Sequence, residues 1–197
     1  MGMDEKVLCV PTDRVWEPGQ TVARYDNLYD AIGRLEYDFR FIERSICERE
    51  EGLQQLIPYI IVKRRGRVLL YDRGSKGGES RLSGKLSTGI GGHINDRDLS
   101  ETWSLRDTVH RGAMRELMEE TGLSERKYHE VSLIREVDTA VGRVHTGIVM
   151  VVENHDFEPD QLESMECKSA WVYPSMIIDH PRLETWSKMA LSLIFNL

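Results

Sequence analysis

The sequence predicts an α/β sandwich built around a mixed β-sheet. Several β-rich runs of strand length alternate with glycine-containing connections, which favours a sheet-rich fold. Residues 107–121 repeat apolar side chains at steps of three and four, which predicts a central amphipathic helix, and Gly122 follows as its expected C-cap. Residues 183–195 show the same spacing and predict a closing helix. Helices before and after runs of strands are typical of a sheet covered by helices.

The remaining elements follow in chain order. A strand is expected at 7–10, where Pro11 ends the apolar run, and a helix near 26–37 is indicated by the spacing of Tyr29, Ile32 and Leu35. Residues 57–73 predict a hairpin, because Gly66 supplies the positive φ that a tight connection needs. Further strands are predicted at 86–90, 131–137, 144–152 and 170–173.

Composition limits the class of protein without naming its chemistry. The chain has 197 residues, of which 40% are hydrophobic and 30% charged, as in a soluble single-domain protein. It contains no apolar run near 18 residues and begins with an acidic stretch unlike a signal peptide, so we expect a cytoplasmic protein that does not span a membrane. Three cysteines without metal-ligand spacing are expected to be free thiols, and a net charge of −7 argues against long nucleic acid as a partner.

The residues with a chemical implication are three glutamates of the central helix. Glu116, Glu119 and Glu120 are spaced to lie on one helix face. Carboxylates about 6 Å apart repel by roughly 0.7 kcal/mol per pair in water and about 3 kcal/mol at an effective dielectric near 20. An open, solvated face tolerates this repulsion, whereas a cleft requires protons or a cation. Gly91-Gly92 upstream and Gly122 downstream favour the cleft, and an all-oxygen cluster suits Mg²⁺ or Mn²⁺.

The stretch from Arg115 to Leu123 resembles the second half of the Nudix signature, G-x5-E-x7-R-E-U-x-E-E-x-G-U, where U is a bulky apolar residue. It matches at every specified position. Residues 57–59, 78–82 and 87–95 are similar to a MutT-like subgroup of predicted phosphoesterases. The resemblance implies a Nudix-type α/β/α sandwich with a mixed sheet. We expect residues 52–197 to form the hydrolase domain and residues 1–51 to form an N-terminal extension, packed on that domain or across a homodimer interface.

The resemblance also implies roles for the signature residues. Glu116, Glu119 and Glu120 would bind Mg²⁺ or Mn²⁺, the Gly91 carbonyl would be a further ligand, and Arg115 would orient the carboxylates. Glu116 and Glu120 compete for the role of general base. Family members often place another glutamate outside the signature, for which Glu163 and Glu166 are candidates here, although a solvated surface position is the alternative for each.

The first half of the signature departs from the family pattern. Counting back from Arg115, the conserved glutamate position holds Asp107, which we expect to be structural. Fourteen residues, 93–106, separate Gly92 from Asp107 where the family has five, so nine residues have been inserted. Residues 95–98 predict an exposed turn, and Trp103 is expected to anchor the loop rather than stack on a base. The insertion either walls one side of the substrate pocket or is passive.

The expected substrate is small, phosphorylated and nucleotide-like. Arg81, Lys85 and His93 are candidates for phosphate contacts, each with ordinary surface charge or loop packing as the alternative. His145 is expected to be a satisfied strand histidine outside the site. The resemblance implies hydrolysis of a phosphoanhydride by a metal-assisted water. The alternative is a non-catalytic nucleotide sensor with the same fold, while an isopentenyl diphosphate isomerase is disfavoured because no active-site cysteine can be placed.

Overall fold

The computed structural model describes residues 4–24, 32–74, 84–124, 127–154 and 168–197. The helices in these ranges are α1 (Thr12–Val15), α2 (Arg44–Cys47), α3 (Leu105–Thr121) and α4 (Thr185–Phe195). The strands are β1 (Lys6–Pro11), β2 (Val22–Arg24), β3 (Arg40–Glu43), β4 (Leu53–Arg64), β5 (Arg67–Asp72), β6 (Leu86–Ser87), β7 (Gly89–Ile90), β8 (His129–Ile134), β9 (His145–Glu153) and β10 (Ser169–Val172).

These strands form one mixed sheet with β4 at its centre. The main path runs β10-β5-β4-β9-β8-β2, and β1 and β7 also pair with β4. The β4–β9 ladder is parallel and extends from the pair Gln55–His145 to the pair Lys63–Glu153. The other ladders among the described strands are antiparallel. The predicted mixed sheet is therefore confirmed.

Alternate residues of the two central strands enter two separate cores. On one face, Ile60 and Met150 pack in a cluster with Val109 and Leu117 of α3. On the other face, Ile61 packs with side chains of α4. Side chains of a strand point alternately to the two faces of the sheet, so both faces of β4 are covered by a helix. The result is the predicted α/β/α sandwich.

The N-terminal residues contribute directly to this sandwich. β1 pairs with β4 through the register Cys9–Gln55 to Pro11–Leu53. Leu8, Val10 and Trp16 are buried in the same core as α3. Cys9 and Cys47 are buried free thiols, as expected for two of the three cysteines.

The turns follow the sequence prediction closely in the β4–β5 hairpin. Arg65 and Gly66 both have positive φ, at 49° and 76°, as a two-residue hairpin connection requires. Residues 26–31 of the helix predicted at 26–37 lie outside the described residues, residues 32–33 are helical, and residues 34–38 form turns instead of continuing the helix. No helix in the described ranges has the length and hydrophobicity needed to cross a bilayer.

Candidate active site

The signature helix α3 begins two residues before the predicted position. The side chain of Ser104 caps its N-terminus by accepting a hydrogen bond from the Asp107 backbone N–H at 3.3 Å. At the other end Gly122 adopts φ 72°, and its N–H donates to the Met118 carbonyl at 2.8 Å. The expected glycine C-cap is thus confirmed, and the helix stops directly after Glu119 and Glu120.

Arg115 organises the carboxylates around the start of the acidic cluster. Its guanidinium donates to both oxygens of Asp98, at 2.9 and 2.8 Å, and to the His93 carbonyl at 3.0 Å. It also binds Glu116 at 2.7 Å and Glu119 at 3.1 Å. One side chain therefore connects the glycine-rich entry, the Asp98 carboxylate and the acidic face of α3, because a planar guanidinium offers five donors in fixed directions.

Asp98, rather than Asp107, is the carboxylate paired with the signature arginine. Asp98 is 4% exposed, and its side chain also accepts the Asn95 N–H at 3.0 Å. Asp107 is exposed and lies in the first turn of α3. Counted forward from Gly92, five residues precede Asp98, so the G-x5 spacing is retained with aspartate in place of glutamate. The prediction that assigned this position to Asp107 is wrong, because the extra residues come after the acidic residue.

The same geometry corrects the expectation of an exposed turn at residues 95–98. Asp96–Asp98 forms one turn of 3-10 helix in which Asn95 caps the start and Asp98 reaches back to the Asn95 N–H. Asn95 and Asp98 are buried, while Asp96 and Arg97 are exposed. The predicted turn is present, but the ion pair with Arg115 places its last residue, Asp98, in the protein interior.

Two glycines of the entry loop are required by close approach. A Cβ on Gly91 would lie 1.7 Å from the Pro58 carbonyl oxygen. A Cβ on Gly92 would lie 2.6 Å from one carboxylate oxygen of Glu116. The Pro58 backbone leaves no room for a side chain at residue 91, whereas a side chain at residue 92 would force the Glu116 carboxylate to move.

On the acidic face of α3, burial and repulsion between carboxylates disfavour the charged forms of two glutamates. Burial raises the pKa of Glu116, and Arg115 opposes that shift. Burial raises the pKa of Glu120 to about 7, and the negative charges of Glu116 and Glu119 add to the effect. Glu119 is exposed. A buried carboxylate beside two others, with oxygen donors alone, fits a hard divalent cation, which would relieve this repulsion.

A cavity of about 600 Å³ opens beside the signature loop. Its wall carries the cationic side chains Arg44, Arg73 and Lys85 together with aromatic and polar groups. The positive charge of Arg73 partly offsets the rise in the pKa of Glu120, so the cavity and the acidic face of α3 are electrostatically coupled. The other lining residues are Ile57, Tyr59, Gly89, Gly91, Gly92, His93, Glu136, Thr139, Val141, Gly142, His145, Glu184, Thr185 and Trp186.

One wall of the cavity is a buried polar network around Glu184. The Tyr59 hydroxyl donates to the Glu184 carboxylate at 2.6 Å, and the Ser87 hydroxyl donates at 2.5 Å. Arg73 forms an ion pair with the same carboxylate at 3.2 Å. Ser187 accepts the Thr88 N–H at 2.9 Å. These bonds fix the strand that leads into the signature glycines to the start of α4.

A second polar cluster lies on the opposite part of the wall. The Nε2 atoms of His93 and His145 are 3.4 Å apart, and His145 Nε2 is 3.9 Å from a Glu48 oxygen. Within the described residues, this is the one group of three potential metal ligands whose atoms all lie within 4.8 Å of one another. Burial, with the charge of Arg44, lowers the pKa of His93 to about 3, so its imidazole is neutral. His145 begins β9 and its Nδ1 lies 2.8 Å from the Val141 carbonyl, as expected for a strand histidine, but it also lines this cavity.

The predicted phosphate and metal residues fall into two groups. Gly91, Lys85 and His93 line the cavity, while Glu116, Glu119 and Glu120 lie on the adjoining helix with Arg115. Arg81, Glu163 and Glu166 lie outside the described residues. Sequence reasoning missed Arg73 and Glu184, although the first directly follows a strand and the second directly precedes a helix, positions at which side chains reach a cleft.

The inserted segment does not form the wall of this cavity. No residue of the stretch 94–106 lines it. Trp103 is 67% exposed and has φ 57°, so the expectation that it anchors the loop is wrong. Ile94 and Leu105 are the buried apolar contacts instead, and the Leu105 N–H donates to Glu36 at 2.9 Å.

A Nudix-type sandwich, a glycine-rich loop, and a helix that presents the R-E-U-x-E-E-x-G sequence together define the class of protein. The chain belongs to the Nudix hydrolase superfamily. It is similar to Protein YmaB of Bacillus subtilis strain 168, with 30% identity over an alignment of 204 positions that covers 98% of each chain. No protein-family model matches the sequence.

Solved structures agree with this classification. The chain is similar to Tm1382, described as a candidate Nudix hydrolase, with a TM-score of 0.77, 26% identity, and coverage of 98% of this chain and 99% of that one. A MutT Nudix hydrolase from Burkholderia pseudomallei shares the fold at a TM-score of 0.53 and 22% identity, over 71% of this chain and 96% of that one. The Nudix domain of Shewanella oneidensis NrtR, solved with ADP-ribose, shares the fold at a TM-score of 0.51 and 15% identity, over 72% and 86% of the two chains.

Proposed function

We propose that the protein is a Mg²⁺- or Mn²⁺-dependent hydrolase that cleaves a phosphoanhydride (diphosphate) bond in a small, nucleotide-like substrate. The observation that carries the proposal is the arrangement around Arg115, which holds Glu116 and Glu119 on the acidic face of α3 directly beside a cavity with cationic walls. Hydrolysis at phosphorus needs charge neutralisation, an oriented water and a base, and these groups supply positions for each.

In this proposal the acidic residues of α3 hold the cation, with the Gly91 carbonyl as a further ligand. A bound Mg²⁺ or Mn²⁺ supplies phosphate charge neutralisation and a more acidic coordinated water. Arg115 orients Glu116 and Glu119 through its ion pairs. Glu116 and Glu120 carry the remaining ligand and general-base roles between them. Each has its charge disfavoured by burial, which cation binding offsets.

The cavity provides the substrate side of the proposal. Its volume of about 600 Å³ lies within the range of small-molecule sites. Arg73 and Lys85 face it and offer cationic contacts to phosphate oxygens, and His93 offers a neutral imidazole. The ADP-ribose complex of the NrtR Nudix domain supports a nucleotide-like ligand class for this fold. Arg81 and Glu166 lie outside the described residues, so a phosphate contact for Arg81 and a catalytic role for Glu166 remain predictions from the sequence.

The test is a screen of nucleoside triphosphates, dinucleoside polyphosphates, nucleotide sugars and ADP-ribose with Mg²⁺ and with Mn²⁺. The double variant Glu119→Gln, Glu120→Gln should lose cation-dependent turnover while retaining the circular dichroism spectrum of the wild type. Asp107→Asn, on the same helix but outside the acidic face, is the matched control and should retain activity. Undiminished turnover in the double variant would refute the assignment.

Two further measurements separate the roles and the alternatives. In single variants, loss of Mn²⁺ affinity identifies a ligand, whereas retained affinity with an altered pH profile of kcat identifies the base; Glu116→Gln and Glu120→Gln should divide accordingly. A nucleotide that binds stoichiometrically, with no phosphate or nucleoside product across the whole screen, would instead identify a sensor.

A further inference from the structure

We propose that Glu48, His93 and His145 form a second metal site, distinct from the glutamates of α3, which binds a borderline-soft divalent ion such as Zn²⁺ at the wall of the cavity. Two imidazoles and one carboxylate are a ligand set that zinc uses where a fourth position stays open. The three side chains come from α2's C-terminal end, the signature loop and the start of β9, so the fold brings them together from distant parts of the chain.

The spacing of the donor atoms fits this ion. Tetrahedral zinc with ligands at about 2.0–2.1 Å places neighbouring donor atoms roughly 3.3 Å apart. The Nε2 atoms of His93 and His145 are 3.4 Å apart. The Glu48 oxygen lies 3.9 Å from His145 Nε2, and all three donor atoms lie within 4.8 Å of one another, so the Glu48 side chain must move closer to the two imidazoles to complete the set. The two imidazole nitrogens are therefore already at coordination distance from a common centre.

The surroundings orient these ligands in the way metal sites require. His145 Nδ1 lies 2.8 Å from the Val141 carbonyl, which can only accept, so Nδ1 carries the proton and Nε2 presents its lone pair to the cluster. Glu48 accepts a hydrogen bond from Arg44 at 3.1 Å. The backbone carbonyl of His93 is held by Arg115. His145 is thus oriented by its other ring nitrogen, and Glu48 is held by Arg44 through the same oxygen that faces His145.

A buried amide beside the cluster provides an independent observation. Gln55 is fully buried, and among the described residues neither its Oε1 nor its Nε2 has a hydrogen-bond partner. It stands opposite His145 in the parallel β4–β9 ladder, and residues in register share a face of the sheet. A buried amide without partners is destabilising, and a bound ion with its coordinated water would supply the missing partner.

The open coordination position would face the cavity, because His93 and His145 both line it. Arg44 lies at the same wall. The positive charges of Zn²⁺ and Arg44 together exceed the single negative charge of Glu48. The site with zinc bound would therefore present a net positive charge to an anionic ligand oxygen. The site therefore differs from the α3 glutamates in both donor chemistry and place, and it stands whether or not the proposed hydrolysis is correct.

The experiment measures metal binding rather than turnover. Full-length protein stripped with a chelator is titrated with Zn²⁺ against a chromophoric competitor, and with Co²⁺ while the visible spectrum is recorded. We expect one tight equivalent of Zn²⁺, intense visible bands from Co²⁺ in a low-symmetry site, and a rise in Tm on adding Zn²⁺. His93→Gln and His145→Gln should each weaken Zn²⁺ binding about tenfold or more, whereas His129→Gln, an exposed histidine on β8, should leave it unchanged.

Two further arms keep the outcome unambiguous. Glu119→Gln, Glu120→Gln should retain the tight Zn²⁺ equivalent, which separates this site from the proposed magnesium site. Cys47→Ala should also retain it, because the nearby thiols are not part of the proposed ligand set. The proposal is overturned if wild type binds no Zn²⁺ at micromolar concentration, if the two histidine variants bind as wild type does, or if binding depends on Cys47 or on the α3 glutamates.

Discussion

Replacing Asp98 by asparagine tests whether this residue is the structural carboxylate of the signature. The substitution preserves volume but removes the charge that accepts two hydrogen bonds from Arg115, at 2.9 and 2.8 Å. Removing one partner of a buried ion pair costs about 3–5 kcal/mol. Arg115 retains Glu116 and Glu119, so we expect the lower end, about 3 kcal/mol in the free energy of unfolding.

In a chain of this size each kcal/mol lowers Tm by roughly 2–4 °C, so the expected fall is about 6–12 °C. The matched control is Asp107→Asn, which removes an exposed carboxylate whose nearest side-chain contact is Thr102 at 3.5 Å. Its expected cost is below about 1 kcal/mol, the worth of a charge in the first turn of a helix. Urea denaturation at pH 7 and thermal melts give both values. If Asp98→Asn destabilises no more than Asp107→Asn, the assignment of the pair is wrong.

Three further predictions concern other parts of the fold. Gly92→Ala should lower kcat and cation affinity, because its Cβ would lie 2.6 Å from the Glu116 carboxylate and displace it. Gly33→Ala is the control and should change neither quantity, because open space surrounds Gly33. Equal kinetics for the two variants would contradict the close approach at Gly92. Burial lowers the pKa of His110 below 6.5, so the unfolded state binds the proton more readily and the free energy of unfolding should fall as pH drops below about 6.5. His110→Gln should flatten that slope in urea titrations from pH 8 to 5, and exposed His129 substituted likewise should not. A chain beginning at Gly52 loses β1 and its core residues, so it should be insoluble or melt well below the full chain; an unchanged Tm would refute the packing of the extension.

Much of the fold followed from periodicity alone. The hairpin at Arg65-Gly66 and the signature helix ending at Gly122 depend on local conformational needs, namely positive φ and a repeating apolar stripe, which are properties of short stretches. The acidic face of the helix is equally local. For such elements the residues that decide the structure are neighbours in the sequence.

The errors came where distant residues decide the outcome. Asp98 pairs with Arg115 seventeen residues away, and counting back across an insertion pointed to Asp107 instead. His145 meets His93 at a separation of 52 residues, which no spacing rule describes. Trp103 was expected to anchor the loop to the core, but it is 67% exposed and has a positive φ of 57°. Sequence patterns predict the conformation of a segment more readily than they predict which distant residues that segment contacts.

The parallel pairing of β4 with β9 has a consequence for how the chain folds during synthesis. Gln54 of β4 accepts a hydrogen bond from Thr146 of β9, 92 residues later. At 5 to 20 residues per second, β4 waits roughly 5 to 18 s after its own synthesis before this neighbour exists. Throughout that interval one edge of β4, the longest of the described strands, exposes unpaired backbone groups, which is the condition under which strands associate between chains. During this stage of synthesis, the strand that will lie at the centre of the sheet has an edge that is free to pair with strands of other chains.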